Sequence, residues 1–307
     1  GPAPQRKGVL VLRVLLTGAD GFTGRPFAAL AQRLGHEVVP LKSDLTNAQA
    51  VHEEVLQIKP DAVVHLAGIA FVGHAHEEAF YAVNVVGTTN LLDGLVQLDV
   101  PPRATLLACS ANVYGNSDRS PIVEAQVAAP VNHYAMSKLA MELMARTYMS
   151  QLNILIVRPF NYTGPRQDEA FLIPKLAKHF AQRSPSVALG NLHVEREFND
   201  VRMVCQAYLD LLEIGEPGEV YNVCSGRPYQ LREVIDTFEA LTGHTMEVTV
   251  NPSFVRSNEV HRLCGSPDKL HNVLATHQRQ LRIPELRETL ETVLMSAEAA
   301  TSAPPLG

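Results

Sequence analysis

The sequence predicts a doubly wound α/β fold, a parallel sheet covered by helices on both faces, followed by a smaller mixed α/β C-terminal unit. Three observations predict it. Short β-branched or Leu-rich runs alternate with helical patterns five times from Val9 onward, a glycine-rich turn follows the first run directly, and the alternation stops after Pro165. Strands separated by crossover helices pair in parallel and are buried on both faces, so they read as continuous apolar runs. With 307 residues, a mass of 33.6 kDa and 46% hydrophobic residues, the chain can bury such a core as two domains or one large α/β unit.

The first strand is expected at Val9–Leu16, an apolar run broken by Arg13 alone. A helix over Arg25–Leu34 follows on 3.6-residue spacing, then a strand at Glu37–Leu41, a helix at Ala48–Ile58 and a Val-rich strand at Ala62–Leu66. A long helix is expected over Glu77–Leu98, a strand at Ala104–Ala108, a helix at Asn132–Ser150 and a strand at Asn153–Val157. Beyond Pro165 the patterns read as a helix near Glu169–Gln182, a strand near Val187, a helix near Val201–Leu212, a strand at Val220–Val223, and helices near Leu231–Leu241 and Pro284–Met295. Residues 9–165 are therefore expected to form the first domain, with a later return near 198–224, and residues 166–197 and 225–295 the second. The tail Ser296–Gly307, rich in Ala, Ser and Pro, reads as frayed, and no fixed-period repeat is present.

Composition narrows the function classes. Lys plus Arg minus Asp plus Glu is 26 − 32 = −6 with no long run of either sign, so nucleic acid or an anionic membrane would meet an unfavourable field, and neither is an expected partner. No apolar stretch approaches the ~20 residues of a membrane span. The opening Gly1-Pro2 reads as a cloning remnant without a charged leader, and the expected location is the cytoplasm. Cys109, Cys205, Cys224 and Cys264 are too scattered for a disulfide framework or a zinc site, and Cys109 reads as a small buried hydrophobe. His74-Ala75-His76 has no Cys or carboxylate set beside it, so no metal is expected.

Thr17-Gly18-Ala19-Asp20-Gly21-Phe22-Thr23-Gly24 stands between the first strand and the first helix. Glycines at that spacing allow a tight turn and the close approach of a pyrophosphate to the free N–H groups and positive end of the helix. In this context the pattern reads as a dinucleotide loop, with Gly18, Gly21, Phe22, Thr23 and Gly24 as cofactor contacts. An acid at the end of the second strand would take a ribose diol, but that strand ends Pro40-Leu41-Lys42-Ser43 and the first acid is Asp44. Asp44, followed by Leu45, is placed near the adenine or on the ribose, whereas Lys42, Ser43, Arg25 or Arg33 would receive a 2′-phosphate; the balance favours NADP(H) over NAD(H).

Tyr134-Ala135-Met136-Ser137-Lys138 puts a phenol and an ammonium at i and i+4 on one helix face. A neighbouring ammonium favours the phenolate and lowers the tyrosine pKa from ~10, which suits the pair to proton exchange. It lies on the helix before the fifth strand, and Cys109-Ser110-Ala111-Asn112-Val113-Tyr114-Gly115 stands at the end of the fourth, where parallel sheets bind ligands.

With these residues the chain resembles the extended short-chain dehydrogenase/reductase superfamily, in its nucleotide-sugar branch. The resemblance rests on Gly18, Gly21 and Gly24, His65-Leu66-Ala67-Gly68, Asn84-Val85-Val86-Gly87-Thr88-Thr89-Asn90, Ser110–Gly115, Tyr134 with Lys138, and Arg158-Pro159-Phe160-Asn161-Tyr162-Thr163-Gly164-Pro165, in that order. It implies a Rossmann domain followed by a substrate domain, with Ser110, Tyr134 and Lys138 catalytic. Leu66, Ala67, Gly68 and Asn84 are then cofactor contacts, Ala67 and Gly68 on the adenosine side, Leu45 is a further contact beside Asp44, and Pro159 and Phe160 lie by the nicotinamide. The 4,6-dehydratases of this branch carry an Asp-Glu pair after the serine, whereas this chain has Ala111 and Asn112, which transfer no proton. The pattern is nearest to the branch's GDP-4-keto-6-deoxymannose reductases, which implies reduction of a nucleotide-linked 4-keto-6-deoxyhexose. An epimerase that retains its NAD, and a non-catalytic dinucleotide-binding regulator, are the alternatives.

For the substrate, the resemblance assigns Arg196 in Arg196-Glu197-Phe198-Asn199-Asp200-Val201, with Glu197 a departure, and Arg256 and Glu259 in Arg256-Ser257-Asn258-Glu259-Val260. The arginines suit phosphates and the glutamate a ribose hydroxyl. Asn112, Asn161 and Lys175 complete the expected substrate contacts, and Asn222-Val223-Cys224-Ser225-Gly226 reads either as support under the nucleotide or as a strand ending in a Gly turn. A homodimer is expected through Leu91, Leu92, Leu95, Met141, Leu143 and Met144, positions equally consistent with packing on the sheet.

Overall fold

Apolar runs at the predicted strands become the middle layer of a computed structural model that describes residues 10–68, 76–255 and 261–304. In chain order the elements are β1 (Arg13–Thr17), α1 (Gly24–Arg33), β2 (Glu37–Pro40), α2 (Ala48–Ile58), β3 (Ala62–His65), α3 (Glu77–Tyr81), α4 (Thr88–Val96), β4 (Ala104–Ala108), α5 (His133–Arg146) and β5 (Ile154–Pro159). There follow β6 (Tyr162–Thr163), α6 (Leu172–Ala181), β7 (Ser186–Leu189), β8 (Glu195–Arg196), β9 (Asn199–Asp200), α7 (Val201–Ile214), β10 (Val220–Val223), β11 (Tyr229–Gln230), α8 (Leu231–Thr242), β12 (Glu247–Val250), β13 (Arg262–Leu263), α9 (Asp268–Thr276) and α10 (Leu286–Ser302).

Six parallel strands form one sheet in the order β10-β5-β4-β3-β1-β2. Side chains alternate across it. Val14, Leu16, Val64, Leu106 and Val157 enter a core with α1, α7 and α9, while Leu15, Val63, Leu107, Ile154 and Ile156 enter another with α2, α4 and α5. From β1 the chain goes to β2 on one side and then to β3 on the other, so the crevice where the order reverses opens between the C-terminal ends of β1 and β3.

A separate core is made by α6, α8 and α10 over the β7–β12 pair, with the Phe180 and Phe238 rings stacked at 5.3 Å between centroids. Both rings are fully buried, so truncating either to Ala costs about 3–5 kcal/mol.

Several expectations are corrected. The first strand starts at Arg13, with Leu10 and Val11 exposed before it and Val9 outside the described residues. The expected helix over Glu77–Leu98 is interrupted by a wider π turn at Ala82–Gly87, which carries Asn84 into the site. The tail is helical to Ser302 rather than frayed. The two-residue strands β6, β8, β9, β11 and β13 are too short for a periodicity of their own, and the sequence reading also gave neither the four-residue strand β12 nor α9, although Leu270, Val273 and Leu274 of α9 are buried at helical spacing. Leu91, Leu92, Leu95 and Met141 are fully buried in the chain's own core, which removes them from any interface; Leu143 and Met136 on α5 and Val86 on the π turn stay exposed.

Candidate active site

The glycine loop closes on itself. Gly21 N donates to Gly18 O and Arg25 N to Gly21 O, both at 3.1 Å. Gly18 has φ +70, and a Cβ on it would lie 2.9 Å from Ala67 N; a Cβ on Gly24 would lie 2.0 Å from Gly18 O. Both positions therefore require glycine. Among the described residues the amides of Phe22, Thr23 and Gly24 have no acceptor, and they open at the N-terminus of α1. That cradle fits a pyrophosphate. Thr23 Oγ1 bonds the Tyr162 hydroxyl at 2.8 Å and the Phe22 ring stacks on Tyr162, so β6 holds the loop from the side.

Next to it, His65 at the end of β3 bonds Thr17 Oγ1 at 2.6 Å and Thr88 Oγ1 at 2.8 Å, and Ala67 N donates to Thr17 Oγ1. Burial lowers the His65 pKa to about 3, so the ring is a neutral strut between β1, β3 and α4. Leu66, Ala67 and Gly68 leave β3 beside the glycine loop.

At the β2 turn Lys42 and Asp44 are exposed and Leu45 is buried, its carbonyl accepting from Asn90 Nδ2. Asp44 is occupied locally, accepting from Thr46 N and Oγ1, which hold its carboxyl below the usual range. The turn carries a carboxylate that the sequence reading missed. Glu54, from α2, accepts from Lys42 N, Ser43 N and Ser43 Oγ at 2.7–3.1 Å. It lies eleven residues from Ser43, on a helix whose approach to this turn no local spacing reveals.

The catalytic candidates converge. Ser110 ends β4 in extended conformation, Tyr134 and Lys138 share one face of α5, and the Ser110 hydroxyl hydrogen-bonds Tyr134. Lys138 is buried and its Nζ donates to Ala108 O at 3.0 Å. Asn84 reaches α5 through Nδ2 to Ser137 Oγ at 3.0 Å, while its buried Oδ1 has no partner among the described residues. A Cβ on Gly68 would sit 3.0 Å from that Oδ1 and 3.1 Å from Lys138 Nζ. An unmatched acceptor and an ammonium thus flank a glycine in the crevice, as a group rich in hydroxyls, such as a ribose, would need.

The expected effect of Lys138 on Tyr134 is corrected. Burial dominates and pushes the phenol above its ordinary range, with the Ser110 hydrogen bond pulling the other way; Lys138, itself lowered by burial, gives its Nζ to Ala108 O. The phenol is thus held protonated, the state a proton donor requires.

After Ser110 comes a 3₁₀ turn, Ala111–Tyr114, in which Asn112 is exposed and no residue is acidic. Pro159 closes β5, but the Phe160 ring is buried against Tyr114 and Gly265, which leaves only its backbone for a ligand. Asn161 is exposed, and its carbonyl accepts from Asn199 N and Nδ2. Lys175 donates to Ala188 O at 2.8 Å and lies over the Phe254 ring, and Arg196 Nη1 donates to Glu195 O and His261 O. Arg256 and Glu259 lie outside the described residues.

Glu197 is no longer a mere departure. Almost fully buried, it accepts from Ser225 N, Ser225 Oγ, Gly226 N and Gly265 N at 2.8–2.9 Å, fixing the turn after β10 and the segment of Gly265 that follows β13. Cys109, Cys205, Cys224 and Cys264 are all buried free thiols, and burial pushes Cys109 upward, away from nucleophilic reactivity. Among the described residues no group of His, Cys, Asp or Glu is arranged to hold a metal, and no helix is long and apolar enough to cross a membrane.

Residues 22–288 match the GDP-mannose 4,6 dehydratase family. The chain is 34% identical to GDP-6-deoxy-D-talose 4-dehydrogenase of Aggregatibacter actinomycetemcomitans over 91% of this chain and 97% of that protein. It is 34% identical to GDP-6-deoxy-D-mannose reductase of Pseudomonas aeruginosa over 85% and 90%. Among solved structures, RMD of Pseudomonas aeruginosa in complex with NADPH superimposes with a TM-score of 0.86 at 30% identity, covering 94% of this chain and all of the other. A Burkholderia cenocepacia J2315 protein named as a candidate epimerase superimposes with a TM-score of 0.88 at 43% identity, covering 94% and 98%.

Proposed function

The chain belongs to the GDP-mannose 4,6 dehydratase family of the extended short-chain dehydrogenases/reductases, and from that premise we propose that it reduces the 4-keto group of a nucleotide-linked 4-keto-6-deoxyhexose, of the GDP-4-keto-6-deoxymannose type. One observation carries the reading: Ser110, Tyr134 and Lys138 meet at the crevice while the turn after Ser110 bears Ala111 and Asn112 in place of acids. Elimination of water would need an additional acid and base. A carbonyl reduction needs one proton donor and one oxyanion partner, and those are present.

A bound nicotinamide supplies the hydride. Tyr134, kept protonated by burial, gives its proton to the carbonyl oxygen as that oxygen gains charge, and Ser110 donates a hydrogen bond to the same oxygen. Lys138 and Asn84 offer a donor and an acceptor to a ribose, which orients the cofactor against the sugar. Phe22, Thr23 and Gly24 hold the pyrophosphate by their amides. The Lys42 side chain, exposed on the β2 turn, and that of Arg25, exposed at the start of α1, support NADP(H) over NAD(H). In this reading residues 166–197 and 225–295, with Asn161, Lys175, Arg196, Arg256 and Glu259, grip the nucleotide sugar, and the enzyme is a cytoplasmic homodimer whose exposed Met136, Leu143 and Val86 supply apolar contact.

The test is loss of reduced-nicotinamide absorbance when purified protein receives NADPH, then NADH, with GDP-4-keto-6-deoxymannose made in situ. Stoichiometric oxidation with a new 6-deoxyhexose is expected, and Tyr134→Phe should lose about 10²–10⁴-fold in kcat. Wild-type turnover in that variant refutes the assignment. The likeness to the candidate epimerase favours a second reading, in which cofactor copurifies and turnover needs none added.

A further inference from the structure

Below the site lies a buried polar cluster that takes no part in the proposed chemistry. Glu142 follows Tyr134 and Lys138 on the same face of α5, and its carboxylate is fully buried. It receives the fork of Arg158 from β5, Nε at 3.1 Å and Nη2 at 2.5 Å. The third nitrogen of that guanidinium, Nη1, donates to the Tyr114 hydroxyl at 3.0 Å and to Glu124 O. Tyr114 in turn donates to Asn222 Oδ1 at 2.6 Å, and Asn222 on β10 is anchored by donating to Glu124 Oε2 and Ile122 O.

Tyr114 is the last residue of the 3₁₀ turn that Ser110 caps by accepting from Asn112 N. The turn is stiff: Gly115 after it has φ +68, and a Cβ there would meet Ala129 O at 1.9 Å. The Tyr114 ring also stacks on Phe160 and carries the guanidinium 5.0 Å above its centroid. One planar group thus holds both partners of the Ser110–Tyr134 hydrogen bond: the helix of Tyr134 through Glu142, and the turn of Ser110 through Tyr114.

We propose that Arg158, Glu142 and Tyr114 are positioning residues that set the Ser110 hydroxyl against the Tyr134 hydroxyl, so that the guanidinium fork, beyond its charge, governs proton donation at this site. The proposal rests on the reading of Ser110 and Tyr134 given above. A lysine at 158 keeps the charge but has no fork to bridge two elements. A phenylalanine at 114 keeps the ring packing and deletes the hydroxyl's two bonds, the one from Arg158 that ties the fork to the Ser110 turn and the one to Asn222 Oδ1.

The experiment compares Arg158→Lys and Tyr114→Phe with wild type, Ser110→Ala and Tyr134→Phe. Kinetics in the reductase assay are expected to show kcat lowered at least tenfold in Arg158→Lys and several-fold in Tyr114→Phe, with KM for both substrates within twofold. Because the Ser110 hydrogen bond lowers the Tyr134 pKa, weakening it should also move the alkaline limb of the kcat profile to higher pH in both variants. A second readout does not depend on the sugar being right: the Tyr134 Cζ resonance of ¹³Cζ-tyrosine-labelled protein, assigned with Tyr134→Phe. Ser110→Ala should displace that resonance, and Arg158→Lys and Tyr114→Phe should displace it in the same direction. Should Arg158→Lys fail to fold, Tyr114→Phe alone decides. A lowered melting temperature with the resonance and the pH limb unmoved makes the cluster merely structural and overturns the proposal; an inactive wild type with the resonance displaced overturns the substrate and spares the positioning role.

Discussion

Replacing Gly24 by alanine tests the phosphate cradle where the structure leaves least room. The added Cβ would lie 2.0 Å from Gly18 O, 2.8 Å from Ala19 Cα and 2.9 Å from Ala19 C, all backbone atoms that cannot rotate away. Reaching ordinary contact requires the loop to open by about 1.4 Å, which breaks the Gly21 N to Gly18 O bond and strains the Arg25 N to Gly21 O bond. Two backbone hydrogen bonds at about 1 kcal/mol each and about 1–3 kcal/mol of backbone strain give about 3–5 kcal/mol. Restoring the amide cradle against that cost weakens a dinucleotide by roughly 100-fold or more, at 1.4 kcal/mol per tenfold. NADPH fluorescence titration of the purified variant reads this directly. Gly35→Ala is the control: its φ is +91 but nothing lies within 4 Å of the added Cβ, so it should cost about 1 kcal/mol of stability and leave affinity unchanged. A Gly24→Ala protein that binds NADPH within threefold of wild type would refute the cradle.

Three further outcomes are expected. Glu54→Gln removes a negative charge beside Lys42 while keeping an acceptor for Ser43, so parallel titrations should show NADPH gaining on NADH by about twofold to fivefold; an unchanged ratio would place the 2′-phosphate elsewhere. Tyr162→Phe keeps the stack on Phe22 but loses the bond to Thr23, and at about 1 kcal/mol it should raise the NADPH Kd about fivefold, an effect absent in a Thr23→Val background if that bond is its origin. For His65, with a folded pKa of about 3 against 6.5, the unfolded chain binds the proton first; its contribution is complete above pH 6.5, falls as the pH drops, and by pH 5 is reduced by about 2 kcal/mol. Urea unfolding at pH 7 and pH 5 should therefore differ less in His65→Gln than in wild type, and an equal difference would rule His65 out as the titrating group.

The sheet was legible because each strand is buried on both faces, and a residue run such as Ala62-Val63-Val64 can belong to little else. The candidate catalytic set was legible for a related reason. Tyr134 and Lys138 are joined by helix geometry, and Gly18, Gly21 and Gly24 by one turn, so their spacing survives in the sequence. Side chains whose partners come from distant segments leave no such trace: Glu54 reaches the β2 turn, and Tyr162 meets Thr23 across 139 residues. The raised Tyr134 pKa was likewise out of reach, since spacing reports that Lys138 is near and says nothing of how thoroughly both groups are taken out of water.

Glu142 and Glu197 mark where that boundary falls. Glu142 continues the Tyr134–Lys138 face by one more turn, so a helix wheel extended past the motif would have exposed an acid aimed at the sheet, a signal that a buried partner must exist on a neighbouring strand. Glu197 offers no such handle. Three of its four partners are backbone amides, those of Ser225, Gly226 and Gly265, and backbone N–H groups are the same in every sequence. A carboxylate buried for a side chain can thus be inferred from periodicity and charge, whereas one buried to satisfy backbone becomes visible only when the fold has brought the orphaned amides together. The C-terminal part of this chain contains the short strands β8, β11 and β13, which is why its elements were legible in outline and its contacts were not.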